Sequence, residues 1–378
     1  MAFVNTENTF HEIDPLRHFV VPKLLVKKIL IILEEEGFIR LISDLGSFSL
    51  DSLYSKAEKN LGFALNDPVR KRMVLNLLNI LITTGYVERD GEKYCLKNGR
   101  GINLHKVDLD DTDKFKHLFE SEISFYSSCI EYINNFLKGA SPLYSFNTDC
   151  GEIWEKFLGN YEFSVARKIL LQSLRIEDKP SFEVLDLCYG RGHDLELICK
   201  LYPRTKVTAI DFTDVFEKNA KEKVEAVQKK HFSGGIEVHP VKWICSNEWK
   251  GFGEKFPFED KTFNIVFFAC GDPYIPRHQR ENVYKEIYRI LKPSGGLGLI
   301  TRCYSDPECK HVTNKWAKIA IYVHDLAEGV CENWQGFYGV EETMQIFTQL
   351  GFLPRSPVFK HFSILDHALW GLERPENE

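Results

Sequence analysis

Residues 184–192 read Val-Leu-Asp-Leu-Cys-Tyr-Gly-Arg-Gly, and this stretch decides the fold of the second half of the chain. The apolar run 182–187 predicts a short buried strand, and the glycines that follow predict a tight turn into a helix over 193–201. Because glycine has no side chain, a ligand can approach the backbone of such a turn and the amino terminus of the helix. The stretch therefore predicts a ligand site at the carboxyl end of a strand.

Beyond this turn, strands alternate with helices. Four more apolar runs predict strands, at 206–210, 236–245, 263–269 and 296–301. Helical patterns precede the first strand and separate the others, at 154–174, 216–230 and 281–291. This alternation predicts an α/β fold with a doubly wound parallel sheet, in which ligands bind at the carboxyl ends of the strands.

Asp211 ends the second predicted strand, about 20 residues beyond the glycine turn. A carboxylate at this place can accept hydrogen bonds from both hydroxyls of a ribose. The alternative is a tight turn beside a solvated aspartate, and the residues alone leave both interpretations open.

The first part of the chain has a different, mainly helical pattern. Helices are predicted over 22–36, from residue 50, over 68–82 and over 108–137, with a β-hairpin at 86–96 around Asp90-Gly91. The segment 138–150 contains Gly139, Pro142 and several polar residues, which favours a domain boundary there. We therefore predict one domain over 1–145 and a second over 146–378.

Three helices followed by a hairpin resemble a winged helix, which raises a DNA-binding hypothesis. In that hypothesis Arg70, Lys71 and Arg72 contact phosphates. The helix that carries them is apolar over a wide arc, whereas a helix that enters a groove needs an exposed polar face. The pattern therefore favours a packing or dimerisation surface over nucleic-acid binding.

Composition sets further bounds. The chain has 378 residues and a net charge of −6, which gives no global attraction to nucleic acid or anionic lipid. No stretch reaches the ~18 apolar residues of a membrane span, and the amino-terminal residues lack the apolar core of a signal peptide. The 10 cysteines include no C-x-x-C pair, so we predict no metal site and a reduced, cytoplasmic setting.

Together, these segments resemble the class I S-adenosylmethionine-dependent methyltransferases. The similarity rests on residues 184–192, on Asp211, and on the segments 256–266 and 288–296, whose order and spacing agree with that family. It extends through 339–352, similar to the family's penultimate helix, and 358–372, similar to its terminal antiparallel hairpin. The implied fold is a Rossmann-like α/β sheet with that hairpin, preceded by a mainly α, winged-helix-like domain.

The layout of the first domain is similar to that of the plant-type O-methyltransferases and their bacterial relatives. In those proteins the first domain mediates dimerisation and closes one side of the substrate pocket. The resemblance therefore implies a homodimer formed through residues 1–145.

The resemblance assigns S-adenosylmethionine as cofactor to nine residues: Asp186, Cys188, Gly190, Gly192, Asp211, Phe212, Ser246, Asn247 and Ala269. The first residues shape the methionine end, Asp211 holds the ribose, Phe212 packs on the adenine, and Ser246 or Asn247 meets its amino edge. Cys188 departs from the family, which usually has a glycine there. A side chain at this position crowds the turn, and its alternative role is that of a small buried thiol packed under the loop.

The acceptor side is less well defined by the sequence. Plant-type enzymes place a histidine soon after the fourth strand, and the matching place falls at Tyr274, with His278 close by. Tyr274 and His278 are therefore the candidate acceptor-facing residues, and an exposed loop histidine is the alternative for His278. Because no histidine stands at the matching position to act as a general base, the sequence does not decide whether the methylated atom is oxygen, carbon, nitrogen or sulfur.

An insertion over 303–335 follows the fifth strand, where the family often builds a lid. The insertion carries Trp316, Ile319, Tyr322, His324 and Trp334, and aromatic side chains on a lid suggest a flat, apolar acceptor. The alternative is that these are core residues of a helix over 312–326. The sequence thus predicts a methyltransferase acting on a small aromatic or polycyclic molecule. Its rivals are a cofactor-binding relative that catalyses a non-methylating reaction and a ligand-sensing DNA-binding regulator.

Overall fold

A computed structural model describes residues 24–97, 120–147, 149–301, 303–304, 315–355, 360–362 and 367–376. Its helices are α1 (24–35), α2 (Phe38–Leu45), α3 (Leu50–Leu61), α4 (Pro68–Thr84), α5 (Glu120–Leu137), α6 (Gly151–Leu158), α7 (Tyr161–Ser173), α8 (His193–Leu201), α9 (Glu217–Ser233), α10 (Arg280–Ile290), α11 (Lys315–Glu328) and α12 (Val340–Gln349). Its strands are β1 (Ser47–Phe48), β2 (Val87–Asp90), β3 (Lys93–Leu96), β4 (Glu183–Leu187), β5 (Lys206–Ile210), β6 (Lys242–Ile244), β7 (Phe263–Ala269), β8 (Leu291–Thr301), β9 (Cys303–Tyr304), β10 (Tyr338–Gly339), β11 (Leu353–Pro354), β12 (Lys360–Phe362) and β13 (His367–Glu373).

The chain forms two compact units. Unit 1 contains the described residues up to Ser145 together with those of Asp306–Gly336, and unit 2 contains those of Phe146–Ser305 and Phe337–Glu378. The sequence analysis assigned residues 306–336 to the second domain, and the structure groups them with the first. The physical reason is that α11 packs against α4 and α5.

Unit 1 is mainly helical and includes a small antiparallel sheet in the order β1-β3-β2. The predicted helix starts follow from local capping, since Ser49 forms a capping box with Ser52 and Asp67 accepts a hydrogen bond from the Val69 N–H at 2.8 Å. Helix α2, which begins directly after Gly37, was not predicted. Of the predicted helix 108–137, residues up to 119 lie outside the described part of the chain.

Helix α11 supplies core residues to unit 1. Of the residues of the insertion that we considered for a lid, Ile319, Tyr322 and His324 on α11 are buried, and so is Trp334 after the helix. Trp316 is half-buried. The structure thus supports the alternative interpretation, in which these residues belong to the core and not to a lid. It also explains the wide apolar arc of α4: Met73, Leu78 and Leu81 are buried within unit 1, so this arc gives no evidence for the expected dimer interface.

The basic triplet on α4 is mostly engaged within unit 1. The Arg72 Nε donates to Asp325 Oδ2 at 2.8 Å, and the Arg70 Nε donates to the carbonyl of Phe136 at 2.9 Å. Lys71 is exposed. Two of the three cations that the DNA hypothesis requires are therefore engaged in contacts within unit 1.

Unit 2 contains an eight-stranded sheet in the order β11-β13-β8-β7-β4-β5-β6, with β12 also paired to β13. The strands β6, β5, β4, β7 and β8 are parallel, and β13 is antiparallel to β8. This confirms the predicted Rossmann-like fold with a terminal antiparallel hairpin. The strand order reverses between β4 and β7, so the segments that follow β4, β5 and β7 come to one edge of the sheet.

Three elements of unit 2 differ from the prediction. The third strand, expected over 236–245, is limited to β6 (Lys242–Ile244). The single helix expected over 154–174 is divided into α6 and α7, because Gly159 ends the first and the Asn160 side chain accepts from the Phe163 N–H at 3.0 Å to cap the second. Strand β8 begins earlier than predicted, at Leu291, and its register shifts opposite Phe263/Ile265. None of the helices in the described ranges has the length and apolar character that crossing a bilayer requires.

The contacts of Asp325 predict how α11 supports unit 1. This buried carboxylate accepts hydrogen bonds from Arg72, Asn76 and Trp334 at 2.8, 2.8 and 2.9 Å. Asp325→Ala leaves these donors without their acceptor, and we expect the free energy of unfolding to fall by about 2–4 kcal/mol in urea titrations. Exposed Lys71→Ala on α4 is the control, with a change within about 0.5 kcal/mol. Equal effects of the two substitutions would contradict this assignment.

Candidate cofactor and active site

The turn after β4 is held by the aspartate that follows β5. The Gly190 N–H donates to Asp211 Oδ2 at 2.9 Å, and the Thr213 N–H donates to Oδ1 at 3.2 Å. Asp211 is buried, and burial raises its pKa to about 6, although backbone hydrogen bonds oppose the shift. The predicted ribose acid thus lies at the glycine turn, and it also orients the backbone of that turn.

The two glycines of the turn serve different ends. Gly190 has a φ of 48°, and a Cβ placed on it meets nothing closer than the Cys188 carbonyl at 4.0 Å, which leaves room for a ligand. At Gly192, with a φ of 78°, a Cβ would lie 2.7 Å from the Cα of Ala220 on α9. Gly192 is therefore required for packing of α8 on α9, a role that the sequence analysis did not assign to it.

Cys188 adopts the left-handed backbone conformation that favours glycine, with a φ of 61°. Its thiol packs against the apolar core around the sheet. Desolvation, followed by the nearby charges of Asp211 and Asp186, raises the pKa of this thiol well above its usual value, so the sulfur stays protonated. The crowding expected at this position thus takes the form of backbone strain, and the thiol packs as the alternative interpretation proposed.

Asp186 lies at the end of β4 and is 0% exposed. Neither of its carboxylate oxygens has a hydrogen-bond partner among the described residues. The neighbouring Arg167 instead donates to Asp194 at 2.5 Å. Burial, and then the charge of Asp194, raises the pKa of Asp186 well above its usual value. A buried carboxylate in this condition is chemically suited to a cationic ligand group such as an ammonium.

Helix α6 lies directly on the glycine turn. Its Glu155 accepts hydrogen bonds from Arg191 Nε at 2.7 Å and from Lys223 Nζ at 2.7 Å. At the start of α6, a Cβ on Gly151 would lie only 2.5 Å from the Arg191 guanidinium. Burial, assisted by nearby cations, lowers the pKa of His193 to about 3, so this neighbour of Glu155 is neutral. The sequence analysis did not predict the contacts of Glu155 with Arg191 and Lys223.

Four rings form an aromatic corner in unit 2: Phe146, Trp154, Phe212 and Tyr274. Phe146 is stacked on Trp154, with centroids 5.8 Å apart and an interplanar angle of 14°. The same ring meets Phe212 at 6.0 Å and 88° and Tyr274 at 5.2 Å and 79°. The structure thus brings together two residues that we predicted for opposite sides of the reaction, through a phenylalanine that we did not predict.

A buried ion pair fixes the segment that carries Tyr274. Asp272, 0% exposed, accepts from Arg280 Nε at 2.9 Å and Nη2 at 3.1 Å, and from the Thr301 and Tyr284 hydroxyls. These contacts hold the short 3-10 turn Asp272–Tyr274, in which Tyr274 is half-buried. His278 lies in the next turn and is exposed.

The remaining predicted residues lie at the same edge of the sheet. The Ser246 hydroxyl donates to Asp214 Oδ2 at 2.7 Å, and Asn247 is exposed. Ala269 is buried at the end of β7. An acidic side chain, which the family more often has after the third strand, is thus supplied beside Ser246 by Asp214.

Asp214, Glu217 and Cys245 bring three potential metal ligands within 4.8 Å of one another in the described part of the chain. The Cys245 thiol already donates to Glu217 at 3.2 Å, and Asp214 accepts from Ser246. Proximity is the only feature that points to an ion here, and it does not establish a metal site.

Comparison with known sequences bears on this site. Residues 184–295 match the family described as a methyltransferase domain. A demethylmenaquinone methyltransferase from Listeria welshimeri is 25% identical over 196 residues, which are 49% of this chain and 75% of that protein. A ubiquinone/menaquinone biosynthesis C-methyltransferase (UbiE) from Desulfotalea psychrophila is 34% identical over 121 residues, 31% of this chain and 40% of that protein.

Solved structures share the fold over nearly the whole chain. The CurJ carbon methyltransferase has a TM-score of 0.64 and 14% identity, covering 98% of this chain and 94% of its own. An O-methyltransferase family 2 protein from Planctomyces limnophilus, in complex with apigenin, has a TM-score of 0.55 and 13% identity, covering 96% of both chains. Residues 184–295 thus match a methyltransferase domain, and the sheet order and the glycine turn agree with the fold of the class I S-adenosylmethionine-dependent methyltransferases.

The backbone at Cys188 makes a prediction about stability. Cys188→Ala keeps the left-handed conformation strained, whereas Cys188→Gly relieves the strain, so we expect the glycine variant to be more stable by about 1 kcal/mol. Cys199, buried on α8, is the matched control, and there alanine is expected to exceed glycine by about 1 kcal/mol. Urea unfolding of the four variants measures both differences. An alanine variant that equals or exceeds the glycine variant at position 188 would contradict the assigned strain.

Proposed function

We propose that this enzyme transfers a methyl group from S-adenosylmethionine to carbon or oxygen of a small, flat aromatic molecule. The observation that carries the proposal is the buried, unpartnered Asp186 carboxylate beside a glycine turn that is open at Gly190. The matched relatives are named for quinone precursors, and one structural neighbour is described with apigenin. All of these ligands carry flat rings, which supports the same acceptor class here.

The residues at the sheet edge fit the cofactor group by group. Asp186 suits the ammonium of the methionine part, and the open backbone at Gly190 leaves room for its chain. Asp211 retains lone pairs for ribose hydroxyls, and Phe212, at the next position, offers a ring to the adenine. Ser246, Asn247 and Ala269 complete the adenine end of the site. When bound, the cofactor supplies a methyl group on a positively charged sulfur.

The acceptor side is assigned to Tyr274. Methyl transfer is an in-line displacement, so the enzyme gains chiefly by positioning the two reactants, which contributes up to roughly 7–11 kcal/mol. The Asp272–Arg280 pair holds the turn that carries Tyr274, and this ring and hydroxyl are placed to orient a flat acceptor. His278 is exposed, which makes it the weaker of the two candidates.

Unit 1 is assigned to the winged-helix-like class because its strands and helices follow the order α2-β1-α3-α4-β2-β3. Eight cysteines of the described chain, from Cys95 to Cys331, are free thiols, which supports a reducing, cytoplasmic environment. Formation of a homodimer through unit 1 stays a prediction of the resemblance, since the apolar arc of α4 is covered within the chain.

The proposal is tested by incubating the purified protein with S-adenosylmethionine and a panel of naphthol, quinol and flavone acceptors. Mass spectrometry should detect S-adenosylhomocysteine together with a methylated acceptor. We expect Tyr274→Ala to lower kcat/KM for the acceptor by about 10–100-fold and to leave S-adenosylhomocysteine affinity unchanged. A larger loss in His278→Ala would transfer the role to the histidine. Cofactor consumption without a methylated product would instead support the non-methylating relative.

Asp211 predicts a pH dependence of cofactor binding. With a pKa of about 6, this carboxyl becomes protonated as the pH falls from 7 to 5 and then accepts hydrogen bonds less well. We expect the affinity for S-adenosylhomocysteine, measured by calorimetry, to decrease over this range. Asp211→Asn should weaken binding at pH 7 by about 1–3 kcal/mol and flatten the pH profile.

The same group has the opposite effect on the stability of the free protein. Its folded pKa lies above the value of about 3.9 in unfolded chains, so its protonation stabilises the fold as the pH falls from about 6 to 4. The difference in unfolding free energy between wild type and Asp211→Asn isolates this contribution.

For cofactor binding, identical pH profiles of affinity in wild type and Asp211→Asn would show that Asp211 does not contact the ligand.

A further inference from the structure

The aromatic corner has the geometry of a site for an alkylated cation. Phe146 and Trp154 are nearly parallel, and Phe212 and Tyr274 stand almost perpendicular to Phe146. Phe146, Phe212 and Tyr274 are half-buried, so part of each ring surface remains accessible. The faces of aromatic rings are electron-rich, and they recognise quaternary ammonium groups by cation–π attraction. A trialkyl sulfonium has the same charge and a similar shape.

The position of the corner follows from the two residues that it joins. Phe212 directly follows Asp211, whose carboxylate is bound to the glycine turn, so this ring lies on the cofactor side. Tyr274 lies in the turn after β7, on the acceptor side. A methyl group that passes from donor to acceptor must lie between these two sides. Phe146 contacts both rings and therefore lies beside that path.

The corner is held in place from two directions. Glu155, next to Trp154 on α6, is bound to Arg191 of the glycine turn and to Lys223 of α9. On the other side, the buried Asp272–Arg280 pair fixes the turn of Tyr274. Rings that are positioned before the ligand arrives lose little conformational entropy on binding, which strengthens their contribution.

We propose that Phe146 selects the charged form of the cofactor, because the aromatic corner attracts the sulfonium of S-adenosylmethionine and has no such attraction for the neutral thioether of S-adenosylhomocysteine. This inference rests on the proposed function, and it concerns a residue to which neither the sequence motifs nor the comparisons give a role. Its consequence is that loss of the positive charge during transfer weakens the hold on the spent cofactor.

The experiment is a comparison of two dissociation constants in the same protein, without acceptor. Calorimetry with S-adenosylmethionine and with S-adenosylhomocysteine gives the ratio of their affinities for wild type and Phe146→Leu. We expect Phe146→Leu to reduce the preference for the charged ligand by about 3- to 10-fold, while S-adenosylhomocysteine affinity changes less than twofold. Phe146→Tyr retains an aromatic face and should keep the wild-type ratio.

Phe157, on α6 beside Trp154, provides the control. It is buried, and its ring contacts Trp154 and Phe163. Phe157→Leu should therefore lower stability without changing the affinity ratio. If Phe146→Leu fails to fold, Tyr274→Leu removes another ring of the corner and should lower the preference in the same direction.

The outcomes separate the inference from the proposed function. Equal weakening of both ligands in Phe146→Leu, or an unchanged ratio, would overturn the role of Phe146 while leaving the methyltransferase assignment intact. Failure of the wild-type protein to bind either ligand would overturn the proposed cofactor site, and this inference with it. A shifted ratio in Phe157→Leu would show that the preference arises from general packing of α6, which also overturns the inference.

Discussion

The hydrogen bond from the Gly190 N–H to the Asp211 carboxylate is the interaction on which the rest of the site depends. It joins the segments that follow β4 and β5, which are far apart in sequence but adjacent in the sheet. The glycine turn is therefore shaped by the sheet itself, and the amino terminus of α8, the Asp186 carboxylate and Phe212 take their places relative to it. Burial of Asp211 away from water strengthens its hydrogen bonds to Gly190 and Thr213 and leaves the turn little freedom for rearrangement.

The sequence was most informative where a local rule acts alone. Helix α8 has the predicted bounds because glycine and an apolar pattern define it, whereas the antiparallel β13 was implied by the family resemblance. The contacts of α6 could not be predicted in this way. Glu155 meets Arg191 and Lys223, which are 36 and 68 positions away, and neither pairing leaves a periodic signal. Gly151 is consistent with the close approach of α6 to Arg191, because a side chain at this position does not fit.

The first unit shows a pattern that was identified without its partner. The wide apolar arc of α4 predicted a packing or dimerisation surface, and the sequence did not say which. The structure covers it with α11, whose Asp325 meets Arg72 at a separation of 253 positions. Hydrophobic patterning indicates that a surface is buried and does not identify its partner, because the hydrophobic effect has no direction. The insertion was therefore placed in the wrong domain by the sequence alone.

The unpartnered Asp186 carboxylate has a thermodynamic consequence for the life of the enzyme. Burial of the Asp186 carboxyl without a partner costs free energy, whether the group is charged or protonated. A cationic ligand removes this cost, so occupancy and folding are linked: a tenfold rise in free ligand above saturation adds about 1.4 kcal/mol to the fold. Cellular supply of the methyl donor would then set the protein's resistance to proteolysis and heat, as well as its turnover.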